Sequence, residues 1–315
     1  MNTEGSVSHR PTDEGEESIE EQGIGHLTPH WPAFPIMTSN RPLASFQLLS
    51  FDIYGTLIDW ESGIIESLKP LSDRLPDSHP SELDPLALCS SLNKYERAFQ
   101  AENPRQTYDL ILKASYEALA KELQALPAAA GGEDPSSILD KEGTAFGASI
   151  GTWPAFPDTV EAMRKLKKRY KLVPLTNVDH VSFQKTLHGP LGGVHEGLGD
   201  GERFFDAVYT AQDVGSYKPN PKNFDYLLSH VKSEFGLEKD QVLHVAQSLF
   251  HDHEPAKKYG LQSAWIARGE GGESGMGGNV VEYLAGENPK VAFGWRFNTL
   301  GELAEAVERE AEKEI

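Results

Sequence analysis

Cysteine is nearly missing: Cys89 is the single one among 315 residues. One thiol cannot close an internal disulfide, which excludes a stapled secreted scaffold and fits a reducing compartment. It lies in the apolar run Leu86-Ala87-Leu88-Cys89, so a buried helical position is expected rather than nucleophilic use. Long apolar stretches are missing as well, and no run reaches the roughly 20 residues of a membrane-spanning helix. Residues 1–23 have no apolar core behind a basic start, so they do not read as a signal peptide. A cytoplasmic protein is the resulting expectation. Basic charge is scarce, with 29 Lys and Arg against 48 Asp and Glu and a net charge of −19. That field repels nucleic-acid phosphates and anionic membranes, so neither is expected as a partner. A small anionic substrate would be repelled too, unless its site were locally positive. No internal repeat is visible, and the eleven histidines are scattered without metal-ligand spacing.

Residues 1–42 are rich in Glu, Gly, Ser and Pro and poor in large apolar groups. They cannot bury enough surface to offset their ordering entropy, and a disordered acidic tail is expected. Beyond it the chain alternates short apolar runs with helical periodicity. Phe46–Phe51, Tyr170–Leu175, Phe205–Tyr209, Val242–Ala246 and Ser263–Ile266 read as strands, with Val291–Phe293 as a last edge strand. Between the first and second of these, Leu86, Leu88, Leu92, Tyr95 and Phe99, and then Tyr108, Leu112, Tyr116 and Leu119, recur at helical spacing. A helix from Ile138 to Ile150 follows the break at 127–132. Further helices are expected through Val160–Leu166, Pro221–Val231, Pro255–Tyr259 and Leu300–Val307. The stretches 189–203 and 269–280 are Gly-rich and read as surface loop and flexible segment.

Strands alternating with helices predict an α/β protein with a doubly wound parallel sheet, helices covering both faces. Its domains are expected as a core of 43–64 and 151–315, with a helical cap inserted at 65–150. Ligands of such sheets bind outside the carboxyl ends of the strands. The residues at those ends are Asp52, Thr176-Asn177 and Gln247-Ser248, with Lys218 just beyond another. A carboxylate ending an apolar strand is costly without a partner or a task. Lys218 is the natural partner for Asp52, keeping it ionised. A carboxylate held near a bound electrophile is a competent nucleophile, forming an ester that water then cleaves. Thr176 and Asn177 offer a hydroxyl and an amide to a substrate anion, and Thr56 offers a hydroxyl to Asp52 or to a substrate oxygen. Asp252 would hold Lys218, position water or ligate a metal. Each residue also has a plainer reading: Asp52 or Asp252 as a helix cap, Thr176-Asn177 as a turn, Lys218 as a surface lysine.

Four tracts in order raise the functional reading. Phe51-Asp52-Ile53-Tyr54-Gly55-Thr56-Leu57, Val173–Asn177, Ser216–Pro221 and His244–Asp252 resemble the four signature motifs of the haloacid dehalogenase superfamily. The resemblance covers roughly residues 46–270. It implies a Rossmannoid core with an inserted cap, Asp52 as nucleophile, Lys218 and Asp252 as its catalytic partners, and a binding surface of Tyr54, Thr56, Thr176, Asn177, Gln247 and Ser248. Phosphatases of this superfamily carry a second Asp two residues after the nucleophile, where this chain has Tyr54. Departing halide needs no proton, and an aromatic residue at that position is similar to the L-2-haloacid dehalogenase branch. Trp60 and Tyr108 would add apolar wall. Gln247 replaces an acidic residue common in the phosphatases, and two carboxylates make a poor site for a hard divalent ion. No cofactor is therefore expected, with magnesium needed only for a phosphatase. In the cap, Arg97 and Arg105 are the candidates for a halide-receiving arginine. The expected function is hydrolytic dehalogenation of a small 2-haloalkanoic acid. A phosphatase acting on a small metabolite and a non-catalytic binding protein of the same fold are the alternatives. The expected partner is a small anionic substrate, with homodimerisation left open.

Overall fold

The computed structural model describes residues 41–76, 84–199, 201–269, 278–286 and 288–313. The expected tail up to residue 40, and most of the glycine-rich stretch 269–280, lie outside the described residues. No helix among the described residues is long and apolar enough to cross a membrane.

Six strands form one parallel sheet: β1 (Leu48–Phe51), β2 (Lys171–Thr176), β3 (Tyr209–Thr210), β4 (Val242–Ala246), β5 (Gln262–Ile266) and β6 (Trp295–Phe297), in the order β3-β2-β1-β4-β5-β6. The central strands are apolar along almost their whole length because helices cover both faces. Every residue of β1 and β4 is buried, and β2 and β5 each expose only their first. From β1 the chain winds outward through β2 and β3, then returns to β1's other side for β4, β5 and β6. That reversal opens a crevice at the carboxyl ends of β1 and β4.

Between β1 and β2 the chain forms helices: α1 (Trp60–Ser67), α2 (Lys69–Ser72), α3 (Pro85–Glu102), α4 (Tyr108–Glu122) and α5 (Pro135–Ala148), before α6 (Thr159–Lys167) returns to the sheet. Asp59, Asp84 and Asp134 accept backbone N–H bonds at the first turns of α1, α3 and α5. Cys89 is fully buried on α3, as its apolar neighbours predict. Gly63 is required because a Cβ there would come within 2.3 Å of the Trp153 ring. After β2 come α7 (His180–His188), α8 (Ala211–Val214), α9 (Lys222–Phe235), α10 (Glu254–Tyr259), α11 (Val280–Leu284) and α12 (Leu300–Lys313).

Three expectations change. The third strand is the pair Tyr209-Thr210 rather than Phe205–Tyr209, because Phe204 and Phe205 turn into the core against Phe183. The edge strand is Trp295–Phe297 rather than Val291–Phe293: Val291 and Phe293 pack with Trp265 in a satellite cluster. That cluster also holds Val280 and Tyr283 of α11, a helix whose first residue closes the stretch 269–280, read as flexible.

Candidate active site

Asp52 follows β1 directly. Its backbone N–H donates to Val245 O at 3.0 Å, so it still runs in register beside β4 as its side chain leaves the sheet edge. One carboxylate oxygen, Oδ1, accepts from Lys218 Nζ at 2.9 Å, and Oδ2 accepts from the Thr56 hydroxyl at 2.7 Å. Lys218 Nζ also donates to Asp252 Oδ1 at 2.8 Å. A single ammonium thus spans two carboxylates that arrive from different strands. Relative exposures of 6% for Asp52, 2% for Lys218 and 0% for Asp252 place the triad out of bulk water.

The loop after Asp52 is tight. Leu57 and Ile58 N–H groups both donate to Ile53 O, and Gly55 N–H donates to Ile58 O. Gly55 has a φ of +97° with the Trp60 indole against it, a conformation glycine adopts without strain. Thr56 closes the loop twice, donating to Asp52 and accepting Gln247 N–H at 2.9 Å. Arg268 braces it from outside, donating to Thr56 O at 2.7 Å while pairing with Asp158. Asn177 fixes the lysine: its Oδ1 accepts Lys218 N–H at 2.6 Å and its Nδ2 donates to Lys218 O at 3.1 Å. Asp252 sits in a π-helical turn, Leu249–His253, started by Ser248 accepting His251 N–H. Its Oδ1 is also bonded to His244 Nε2 at 2.8 Å, and His244 Nδ1 lies 3.2 Å from Ser50 Oγ, its register partner on β1.

Burial pushes the Asp52 carboxyl above its usual range, and Lys218 opposes that push without cancelling it. Asp252 is as buried, but Lys218 and His244 together hold it well below the usual carboxylate range. Burial disfavours the lysine charge, and the two carboxylates more than restore it. The resulting state is an ionised Asp252, an ammonium, and Asp52 as the more basic carboxylate. Burial also keeps the neighbouring His251 and His253 neutral, at about 3 and about 4.

The triad opens into a cavity of about 40 Å³, room for a few atoms only. Tyr54, Asn177, Gln247 and Ser248 line it, as expected, and so do Trp60 and Tyr108. Two expected binders do not face it. Thr56 is bonded to Asp52 below the cavity. Thr176 is buried at the end of β2, off the cavity lining, and its hydroxyl has no hydrogen-bond partner among the described residues. Asn177 is present, but both its amide atoms are spent on the Lys218 backbone. Of the two cap arginines, Arg97 lines the cavity; Arg105 is not among its walls and its Nε lies near Gly215. The Tyr54 hydroxyl shares a 2.7 Å hydrogen bond with Thr186 Oγ1, and its ring stands edge-on to Trp153. Burial raises its pKa further, so it keeps its proton.

A model of the haloacid dehalogenase-like hydrolases matches residues 46–257. The chain belongs to that family. It is therefore a hydrolase, and its six-stranded parallel sheet with helices on both sides is consistent with the family's fold. Among solved structures, an L-2-haloacid dehalogenase from Xanthobacter autotrophicus is 18% identical, with a TM-score of 0.57 over 84% of this chain and 98% of its own. A second, the L-2-haloacid dehalogenase PA0810, is 23% identical, with a TM-score of 0.57 over 82% and 98%. The HAD-hydrolase YfnB of Bacillus subtilis, bound to magnesium, is 18% identical, with a TM-score of 0.56 over 84% and 99%. These likenesses establish the shared fold. No curated protein matches the chain.

The four motifs left several residues unassigned. His244 was visible as a polar residue inside an apolar strand. Glu96 continues the spacing Leu88, Leu92, Glu96 on the buried face of α3 and lines the cavity beside Gln100. Asp179 caps two elements, accepting Ser182 N–H of α7 through Oδ1 and Tyr108 N–H of α4 through Oδ2. That bond ties the insertion to the sheet and sets Tyr108 over the cavity.

Proposed function

We propose that this hydrolase displaces halide from a small 2-haloalkanoic acid through an ester on Asp52. The observation that carries the reading is the sharing of one buried ammonium by Asp52 and Asp252, facing a cavity whose residue two after the nucleophile is a tyrosine locked to Thr186. Asp52 Oδ1 or Oδ2 attacks the carbon bearing the halogen, and the C–X electron pair leaves with the halide. No proton is needed, which suits a wall without an acid at position 54. Lys218 neutralises the incoming anion and the ester oxygen. Water, assisted by Asp252, then attacks the carbonyl carbon of the ester, and the bond between that carbon and the substrate oxygen breaks. One water proton passes to the departing oxygen to give the 2-hydroxy acid, the other is lost to solvent, and Asp52 returns as a carboxylate. Helices α3 and α4 act as a cap closing the cavity, with Arg97 as the cationic group on that side.

A divalent ion does not fit this donor set. Both Oδ1 atoms are taken by Lys218 and Thr56 takes Asp52 Oδ2, so of the oxygens of these two carboxylates Asp252 Oδ2 alone is without a partner among the described residues. Among the described residues no group of three His, Cys, Asp or Glu is arranged to hold an ion, and a hard cation wants several oxygens. Metal independence belongs to this proposal, as do a cytoplasmic location and a small anionic substrate as partner. The test is halide release from 2-chloropropionate in the presence of a chelator. Release supports the reading; phosphate release that requires magnesium, with no halide, replaces it. Ligand binding without turnover in the parent protein would make it a binding protein.

A further inference from the structure

The cavity wall holds a carboxyl that the reaction above does not use. Glu96 is 3% exposed and lines the cavity. Its Oε1 accepts Gln100 Nε2 at 2.8 Å, the Tyr108 phenol approaches the carboxyl, and the buried Oε2 makes no other hydrogen bond among the described residues. A carboxyl oxygen left bare at a binding cavity marks a place a ligand atom completes. Of the strand-end candidates for receiving an anion, Thr176 is off the lining and Asn177 is committed to the Lys218 backbone.

We propose that Glu96, as a neutral carboxylic acid, donates its Oε2 proton to the substrate's carboxylate, so that binding of a carboxylate ligand takes up one proton. The proposal rests on the reading of the substrate as a small carboxylate. It assigns the anion's seat to the insertion, with the Arg97 guanidinium beside it.

The charges around Glu96 agree. Tyr108 from α4 faces it with a phenol, and Tyr217, whose hydroxyl donates to Gln106 O, lies on the same side. Arg97 and Gln100 flank it on its own helix. Asp52, Asp252, Lys218 and the neutral His251 line the same cavity. Two carboxylates against one lysine leave no surplus positive charge for a third anion. Burial raises the Glu96 carboxyl to about 7, against the pull of Tyr108, Arg97 and Gln100. An arriving carboxylate is a further like charge and raises it again. One proton shared between the two carboxyls removes the repulsion.

The test is calorimetry on the full chain, with propionate and the parent protein and with 2-chloropropionate and Asp52→Asn, each in two buffers of different protonation enthalpy. The expected uptake is about 0.9 proton per ligand at pH 8, with affinity falling about tenfold per pH unit above 7. Glu96→Gln keeps a donor that never ionises. It should abolish the uptake, flatten the pH dependence, and at pH 9 bind propionate about 100-fold tighter than the parent. A gain in affinity cannot come from misfolding. Zero uptake in the parent, uptake unchanged in Glu96→Gln, or no binding of either carboxylate at any pH overturns the proposal. Proton-linked binding without halide release keeps it and sinks the dehalogenation reading; halide release with pH-independent binding does the reverse.

Discussion

Replacing Lys218 by methionine removes the ammonium and keeps most of the side-chain volume, which isolates its electrostatic role. In the folded protein Nζ is 2.9 Å from Asp52 and 2.8 Å from Asp252, with Lys218 2% exposed. Without it, two carboxylates from adjacent strands face each other in a dry site. Breaking a buried pair by removing one partner costs about 3–5 kcal/mol. For a domain of this size each kcal/mol is worth about 2–4 °C, so Tm should drop by roughly 6–20 °C. The loss should depend on pH. In the parent, Asp252 is held below its unfolded value, so its contribution is present above about pH 4 and lost as pH falls further. In the variant both carboxyls rise above their unfolded values, so the folded form takes up protons and regains stability as pH falls. Thermal unfolding should therefore show a wide gap between variant and parent at pH 8 and a narrower one at pH 5. Adding Asp52→Asn to the lysine variant should recover part of the loss. A lysine variant as stable as the parent at pH 8, or a gap that widens on acidification, refutes the charge arrangement.

Activity should fall on the acid side as pH drops through the Asp52 pKa, with a midpoint above the ordinary carboxylate range, because burial raises that group; a pH–rate profile reads it. Thr56→Val removes the donor to Asp52 and orphans the Gln247 N–H, which should cost about 1–3 kcal/mol in denaturant unfolding and slow turnover. His244→Leu takes one of two partners from Asp252 Oδ1; the Asp252 pKa then rises, and a carbon-detected carboxyl titration should move upward while Asp52 changes little. Arg97→Lys should raise KM for an anionic substrate more than Arg105→Lys does, since only Arg97 lines the cavity.

Much of the architecture was legible because central parallel strands are apolar throughout, and runs such as Leu48–Phe51 and Val242–Ala246 stand out against their surroundings. Asp52 was legible because polar residues ending such runs are few, and Lys218 and Asp252 were legible through the order of the four tracts. Two kinds of information were hidden. The edge strands are short, two residues in β3 and three in the partly exposed β6, and Trp295–Phe297 carries no strong pattern, while Val291 and Phe293 imitate one by packing around Trp265. Side-chain direction was the other. Thr176 and Asn177 sit at a strand end, as the motif order suggests, yet one hydroxyl is buried off the cavity and the amide is committed to the Lys218 backbone. Glu96 and His244 were read as ordinary members of a helix and a strand, although each breaks an apolar face, and that break was the signal.

The central claim is that Asp52 becomes covalently joined to the substrate. Excess enzyme should be given one turnover of 2-chloropropionate in heavy-oxygen water, and the peptide holding residue 52 weighed by mass spectrometry. The account predicts one heavy oxygen in the Asp52 carboxylate and ordinary oxygen in the hydroxy acid first released. Heavy oxygen in that product, with residue 52 unlabelled, would mean that water attacks the substrate directly and would contradict the account.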